Sequence, residues 1–138
     1  MKNPIDKVFD TRDLIEYIEY LRDELVEMYN ESTESEIESI DEVEEWPDDL
    51  YKDYEDYQNI VEFAAELKNN ATDYAYGEGV IRWDYWEDYV KQLIEDCGYI
   101  SKDFPSFIEV DWNATAENVS DDYAIITYDG DDYYVRKT

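Results

Sequence analysis

Apolar residues recur every three or four positions over residues 11–29. Leu14, Ile18, Leu21, Leu25 and Met28 form the stripe of an amphipathic helix, with Glu16, Glu19, Asp23 and Glu27 on its other faces. Thr33 followed by Glu36 is a capping-box pattern, predicting a short second helix with the stripe Ile37, Ile40, Val43 and Trp46. Pro47 ends it. Asp48 or Asp49 then caps a third predicted helix carrying Leu50, Tyr54, Tyr57, Val61, Ala64 and Leu67, with Asn69-Asn70 as its stop.

After the looser segment TDYAYGEG, VIRW (80–83) predicts a short strand. Asp84 with Glu87 predicts the cap of a fourth helix, whose apolar face is Trp86, Val90, Leu93, Ile94 and Cys97, with Gly98 as its C-terminal stop. A further strand is expected around Phe107–Val110, and Asp111 caps the short helix WNATAENV. The end, YAIITYDGDDYYVR, places two β-favouring runs around Asp129-Gly130, a dipeptide suited to a tight hairpin. The predicted class is α+β. An acidic helical region of about three helices (1–76) precedes a small α/β unit with a C-terminal β-hairpin (77–138).

Charge changes this picture. The chain has 39 acidic and 11 basic residues, a net charge of -28, and residues 31–60 alone carry 13 acids against one base. Such a charge repels itself and weakens the compact state. The chain is nevertheless built to fold: Leu, Ile, Val and Phe number 31 of 138 residues, and aromatics supply 17%. DEVEEWPDDLYKDYEDY (41–57) separates into two faces that meet at a proline corner, Trp46 and the tyrosines on the inward face and Glu42, Glu45, Asp49, Asp53 and Asp56 on the outward one. Nucleic acid and anionic membranes are excluded as partners, and a strongly basic surface is the natural one.

Candidate chemistry narrows the field further. The chain has no His, which removes the usual general base and metal ligand. Cys97 is alone, so neither a disulfide framework nor a cysteine metal site is expected; on its helix it reads as a small buried hydrophobe. An EF-hand loop fails before Asp129, where Ile125 and Thr127 occupy ligand positions. Among 39 acids some pair always looks suitable for acid/base work, so paired carboxylates carry no information. No enzyme activity, cofactor or metal is expected. MKNPIDKVFD does not read as a signal peptide and no segment approaches membrane length, so the expected location is cytoplasmic. The fifteen tyrosines read as core thickeners whose hydroxyls reach water, with an aromatic recognition surface as the alternative.

Acids three or four apart on a helix stand roughly 5–6 Å apart along its axis. DNA presents one phosphate per roughly 3.4 Å on each strand. Two acid-bearing faces per helix therefore match one DNA strand in order of magnitude, which makes DNA mimicry a candidate function. The carboxylates expected to meet the target are Glu38, Glu42, Glu45, Asp49, Asp53, Asp56, Asp88, Glu95, Asp121 and Asp122. The competing class is an acidic interaction module or chaperone for a basic DNA-binding protein.

Residues 80–136 resemble ArdA, the antirestriction family of plasmids, transposons and phages. The resemblance rests on VIRWDYWEDYVKQLIEDCGYI, a Pro-containing link, and FIEVDWNATAENVSDDYAIITYDGDDYYV. More weakly, SIDEVEEWPDDLYKDYEDYQNIVEFAAEL is similar to that family's central helical region. The resemblance leads to the expectation that the N-terminal β-containing domain of longer members is absent, with the helix at 11–29 in its place. The resemblance implies a homodimeric DNA mimic, encoded by a phage or mobile element. Such a mimic occupies the basic DNA-binding groove of a type I restriction-modification enzyme in the bacterial host. One position departs: the family often has Gly-Arg where this chain has Ala116-Glu117, a difference that bears on how the chain pairs. The shortened N-terminus also leaves another defence system, as in anti-CRISPR inhibition, as an alternative target.

Overall fold

A computed structural model describes residues 1–100 and 105–137. The sheet has four antiparallel strands in the order β1 (Val8–Asp10), β2 (Gly79–Arg82), β4 (Asp131–Arg136), β3 (Tyr123–Tyr128). Four helices accompany it: α1 (Thr11–Thr33), α2 (Tyr51–Asn70), α3 (Trp86–Asp96) and α4 (Trp112–Val119). The α+β class and the closing hairpin are as predicted.

Strand alternation explains the layers, because successive side chains point to opposite faces. Phe9, Val80, Val135, Tyr133 and Ile126 face α1 and α2, packing with Leu14, Ile18, Leu25, Tyr57, Phe63 and Leu67. On the other face Ile81 packs with Trp86 and Val90 of α3 and Ala116 of α4, with Tyr123 and Tyr134 against them. The first core draws on both sides of residue 76, and β1 pairs with β2 across it. The boundary drawn there therefore runs through one sheet and one apolar core.

The hydrophobic pattern gives no sign of the N-terminal strand. VFD is only three residues long, too short for alternation to show, yet it seats Phe9 in the core. Thr11, fully buried, ties this corner together: its Oγ1 donates to the Tyr74 carbonyl (2.7 Å) and accepts from the Glu78 N–H (2.9 Å).

The predicted second helix is corrected. Helix α1 runs on to Thr33, whose Oγ1 donates to the Tyr29 carbonyl instead of capping a new helix. Glu34, at φ 54°, closes α1 in the left-handed region. In place of the second helix stands a single 3-10 turn, Ile40–Glu42, with a capping box made by Ser39 and Glu42. The spacing explains why: Ile37, Ile40, Val43 and Trp46 recur strictly every third residue, which drifts around an α-helix instead of holding one face. Asn30 pins the loop, its side chain donating to the Ile37 carbonyl (3.0 Å) and accepting the Ile37 N–H (2.9 Å).

Other local expectations also change. Leu50, with no side-chain cap, precedes α2, while Asp49 accepts from Ser32 Oγ at 3.4 Å. Asp84 does not cap α3; Arg82 captures it in a two-pronged ion pair, Nε to Oδ1 at 2.6 Å and Nη2 to Oδ2 at 3.0 Å. Residues 107–110 form no strand, and Phe107 stands 84% exposed. Cys97 is exposed, not buried, because α3 stops at Asp96 and its packing against this core ends with the half-buried Ile94. Asp111 does cap α4, accepting the Ala114 N–H at 3.0 Å.

The tyrosines thicken the cores. Tyr57 and Tyr133 are buried; Tyr51, Tyr76 and Tyr99 are exposed; the other ten are half-buried. Trp46 stacks on Tyr54 (4.6 Å between centroids, 16°) and meets Tyr29 edge-on at 5.6 Å, anchoring the proline corner to both helices. Asp129 (φ 51°) and Gly130 (φ 82°) make the two-residue hairpin turn, both in the left-handed region that a primed turn requires.

Candidate target-binding surface

Every acidic residue among the described ones is exposed or half-buried. Helix α1 carries seven acids and α2 five, on two helices that pack side by side. At 1.5 Å per residue α1 is roughly 35 Å long, so the pair presents about one carboxylate per 3 Å of length. That is the order of one DNA strand, one phosphate per roughly 3.4 Å.

All ten predicted target-binding residues are exposed, but they occupy three regions. Glu38, Glu42 and Glu45 lie on the loop around the 3-10 turn, Asp49 in the turn before α2, and Asp53 and Asp56 at the start of α2. Asp88 and Glu95 are on α3, across the sheet from α1 and α2. Asp121 and Asp122 form the turn that leads into β3.

Two depressions collect acids that sequence spacing alone did not bring together. A groove of about 750 Å³ has an apolar floor, including Leu25, Ile60 and Phe63, and an acidic rim of Glu24, Asp53, Asp56, Glu62, Glu66 and Asp129. A more open depression of about 490 Å³ sets Glu38 beside Asp23, Glu27 and Glu31 of α1. Glu62/Glu66 and Asp23/Glu27/Glu31 sit at i, i+4 spacing, the signal that would have marked them. Their meeting with Asp129 and Glu38 is tertiary and has no sequence signature.

Local contacts fix the state of several carboxylates. Glu42 Oε2 accepts the Glu38 and Ser39 N–H groups (2.8 and 2.9 Å), and these bonds lower its pKa. It is thus committed to holding the loop as well as displaying charge. Asp56 pairs with Lys52 at 2.8 Å, which partly neutralises that position. Hydrogen bonding to arginine lowers the pKa of Asp10 and of Asp84, held by Arg12 and Arg82 respectively. Burial raises that of Glu78. Beyond these three ion pairs, no described carboxylate has a described cation within salt-bridge distance.

So many unpaired like charges should make stability depend on screening. Moderate NaCl is expected to raise the melting temperature, and a fall on adding salt would show that native ion pairs dominate instead.

Two phenols report on burial beside this charge. Tyr128, in the groove wall, is pushed up to about 12 by burial first and then by Asp129 and Asp56. Tyr123 is likewise pushed up to about 12, by burial first and then by Tyr89. Unfolded tyrosines ionise near 10, roughly. Both folded values lie above that, so this contribution to stability is intact below about pH 10 and is lost as pH rises towards about 12. A spectrophotometric titration should find Tyr123 and Tyr128 among the late-ionising phenols, and Tyr128→Phe should remove one of these. Uniform ionisation of all tyrosines near 10, roughly the free value, would contradict this packing.

Among the described residues no group of three or more His, Cys, Asp or Glu is arranged to hold a metal ion. None of their helices is long and apolar enough to cross a membrane. Ala116, at the position that departs from the ArdA pattern, is buried and its carbonyl accepts the Trp86 indole N–H at 3.0 Å. No family model, curated protein or solved structure matches the chain.

Proposed function

We propose that this protein is an acidic mimic of DNA that occupies the DNA-binding groove of a defence enzyme, a type I restriction-modification enzyme above all. One observation carries the reading: carboxylates at roughly the linear density of a DNA strand stand on two packed helices, and almost all lack a partner cation. A disordered acidic tail would have to be ordered on binding, at a cost in entropy. Here the α1–α2 core has met that cost in folding, so the charges meet a preformed groove already in place. Inhibition works by occupancy, without turnover, in the cytoplasm of the bacterial host, with the protein acting as a homodimer.

The proposal predicts binding dominated by counterion release and screening. Inhibitory affinity for the purified enzyme should fall steeply and linearly on a log–log plot against NaCl. An affinity unchanged between low and physiological salt would rule out a phosphate-like contact surface and favour an interaction module that binds elsewhere on its partner.

A further inference from the structure

Strand β3 lies at the edge of the sheet, and among the described residues no strand pairs with its far side. Edge strands are usually protected by shortness, by lysine or proline, or by a bulge. The opposite edge, β1, is only three residues long. Strand β3 has none of these devices. It is six residues long, YAIITY contains neither charge nor proline, and its register with β4 runs one-for-one from Tyr123↔Arg136 to Tyr128↔Asp131.

The register also identifies the unpaired backbone groups. The Lys137 N–H donates to the Asp122 carbonyl at 3.0 Å, which marks directly opposed residues 122 and 137 as a hydrogen-bonded pair. Alternation then makes Ala124, Ile126 and Tyr128 bond to β4, and turns the N–H and C=O of Ile125 and Thr127 outward. The Ile125 side chain is 54% exposed beside them. Tyr123, the other outward position, has its N–H occupied by the Ser120 carbonyl.

We infer that the free edge of β3 accepts an added strand from a basic protein segment, one alternating Lys or Arg with β-branched residues. Backbone pairing would supply the affinity and the flanking charge the choice of partner. Asp121 and Asp122 stand at one end of the strand and Asp129 at the other, with Asp132 opposite Thr127. Thr127 and Tyr128 share the groove wall with Glu62 and Glu66 of α2, so acids also line one side of the edge. A second copy of the chain fits poorly. Antiparallel pairing centred on Ile125 would set Asp121 beside Asp129 of the other copy, like charges directly opposed.

The test uses the intact protein and a synthetic octapeptide alternating Lys/Arg with Val/Thr, at physiological salt. Binding should protect the Ile125 and Thr127 amides from hydrogen exchange. Thr127→Pro removes an outward donor and the exposed hydroxyl bond to Asp132 (2.6 Å) yet leaves the β4 ladder bonds in place, a position where edge strands tolerate proline. It should weaken the peptide about tenfold with little change in melting temperature. Should that variant fail to fold, Ile125→Lys keeps the backbone and sets a like charge against the peptide, and it should weaken binding comparably. No binding overturns the proposal, as does binding that leaves both amides unprotected and both variants unaffected. Protection that appears without peptide and grows with protein concentration overturns the basic occupant in favour of a second copy. Neither DNA nor a DNA-binding enzyme enters this test, so its outcome is separate from that of DNA mimicry.

Discussion

Exchanging Asp49, Asp53, Asp56, Glu62 and Glu66 together for Asn and Gln should abolish inhibition while the fold survives. Each residue is exposed and none is buried in a core, so an exposed ion pair with the target is worth at most about 1 kcal/mol. Any single change should therefore weaken inhibition by no more than about fivefold. Together the five should cost about a thousandfold. The fivefold variant also relieves like-charge repulsion, so its melting temperature at low salt should not fall, a check readable by circular dichroism. One Asp→Asn change that abolished inhibition with the fold intact would refute a diffuse array and point to a single essential carboxylate. Asp56 is the most informative member, because its amide would release Lys52 from their 2.8 Å ion pair and leave an unopposed cation in the contact surface.

The largest effect on stability should come from Trp86. Its ring is buried, stacks on Tyr134 (4.4 Å, 5°), meets Tyr123 edge-on at 4.7 Å, and donates its indole N–H to the Ala116 carbonyl. Trp86→Ala opens a large cavity in the smaller core, at a cost of about 3–5 kcal/mol. Trp86→Phe keeps most of the packing and loses only the indole bond, costing about 0.5–1.5 kcal/mol, because the Ala116 carbonyl still accepts the Ser120 N–H. A domain's total stability is typically about 5–15 kcal/mol, and the net charge lowers it further at low ionic strength. Urea denaturation in low and moderate salt should show the alanine variant largely unfolded without salt and partly restored with it. A loss below about 1 kcal/mol would mean that α3 and α4 contribute little to the fold.

Much of the fold was legible where one local signal decided the outcome. Residues 14–28 carry a 3.6-residue stripe, and α1 forms there. Asp111 can reach the N–H groups of α4, and it caps that helix. Asp129-Gly130 tolerates positive φ, and the hairpin turns on it. Pattern and structure part where two local partners compete, or where the decisive contact lies far off in sequence. Asp84 had a helix N-terminus and Arg82 within reach, and the guanidinium took it. Thr33 had two carbonyl or amide partners in prospect, and the extension of α1 settled the choice. Strand β1 exists because β2, some seventy residues later, pairs with it, and three residues cannot announce that.

The candidate surface divides in the same way. That the acids lie outward on helices follows from their period. Which of them share a region depends on packing: Asp53 and Asp56 join Glu24, Glu62, Glu66 and Asp129 around one groove, while Asp88 and Glu95 sit on the opposite layer. The spacing of a DNA strand's phosphates is thus best approximated by the α1–α2 side. Variants at Asp88 and Glu95 should affect inhibition less than those on α2.

The most direct measurement is a competition titration. Purified protein is added to a preformed complex of a type I methyltransferase with fluorescent duplex DNA, and release is followed by anisotropy. DNA mimicry predicts release in step with added protein, complete near stoichiometric amounts, and reversed by excess unlabelled duplex. DNA that stays bound at stoichiometric excess of the acidic protein would contradict it.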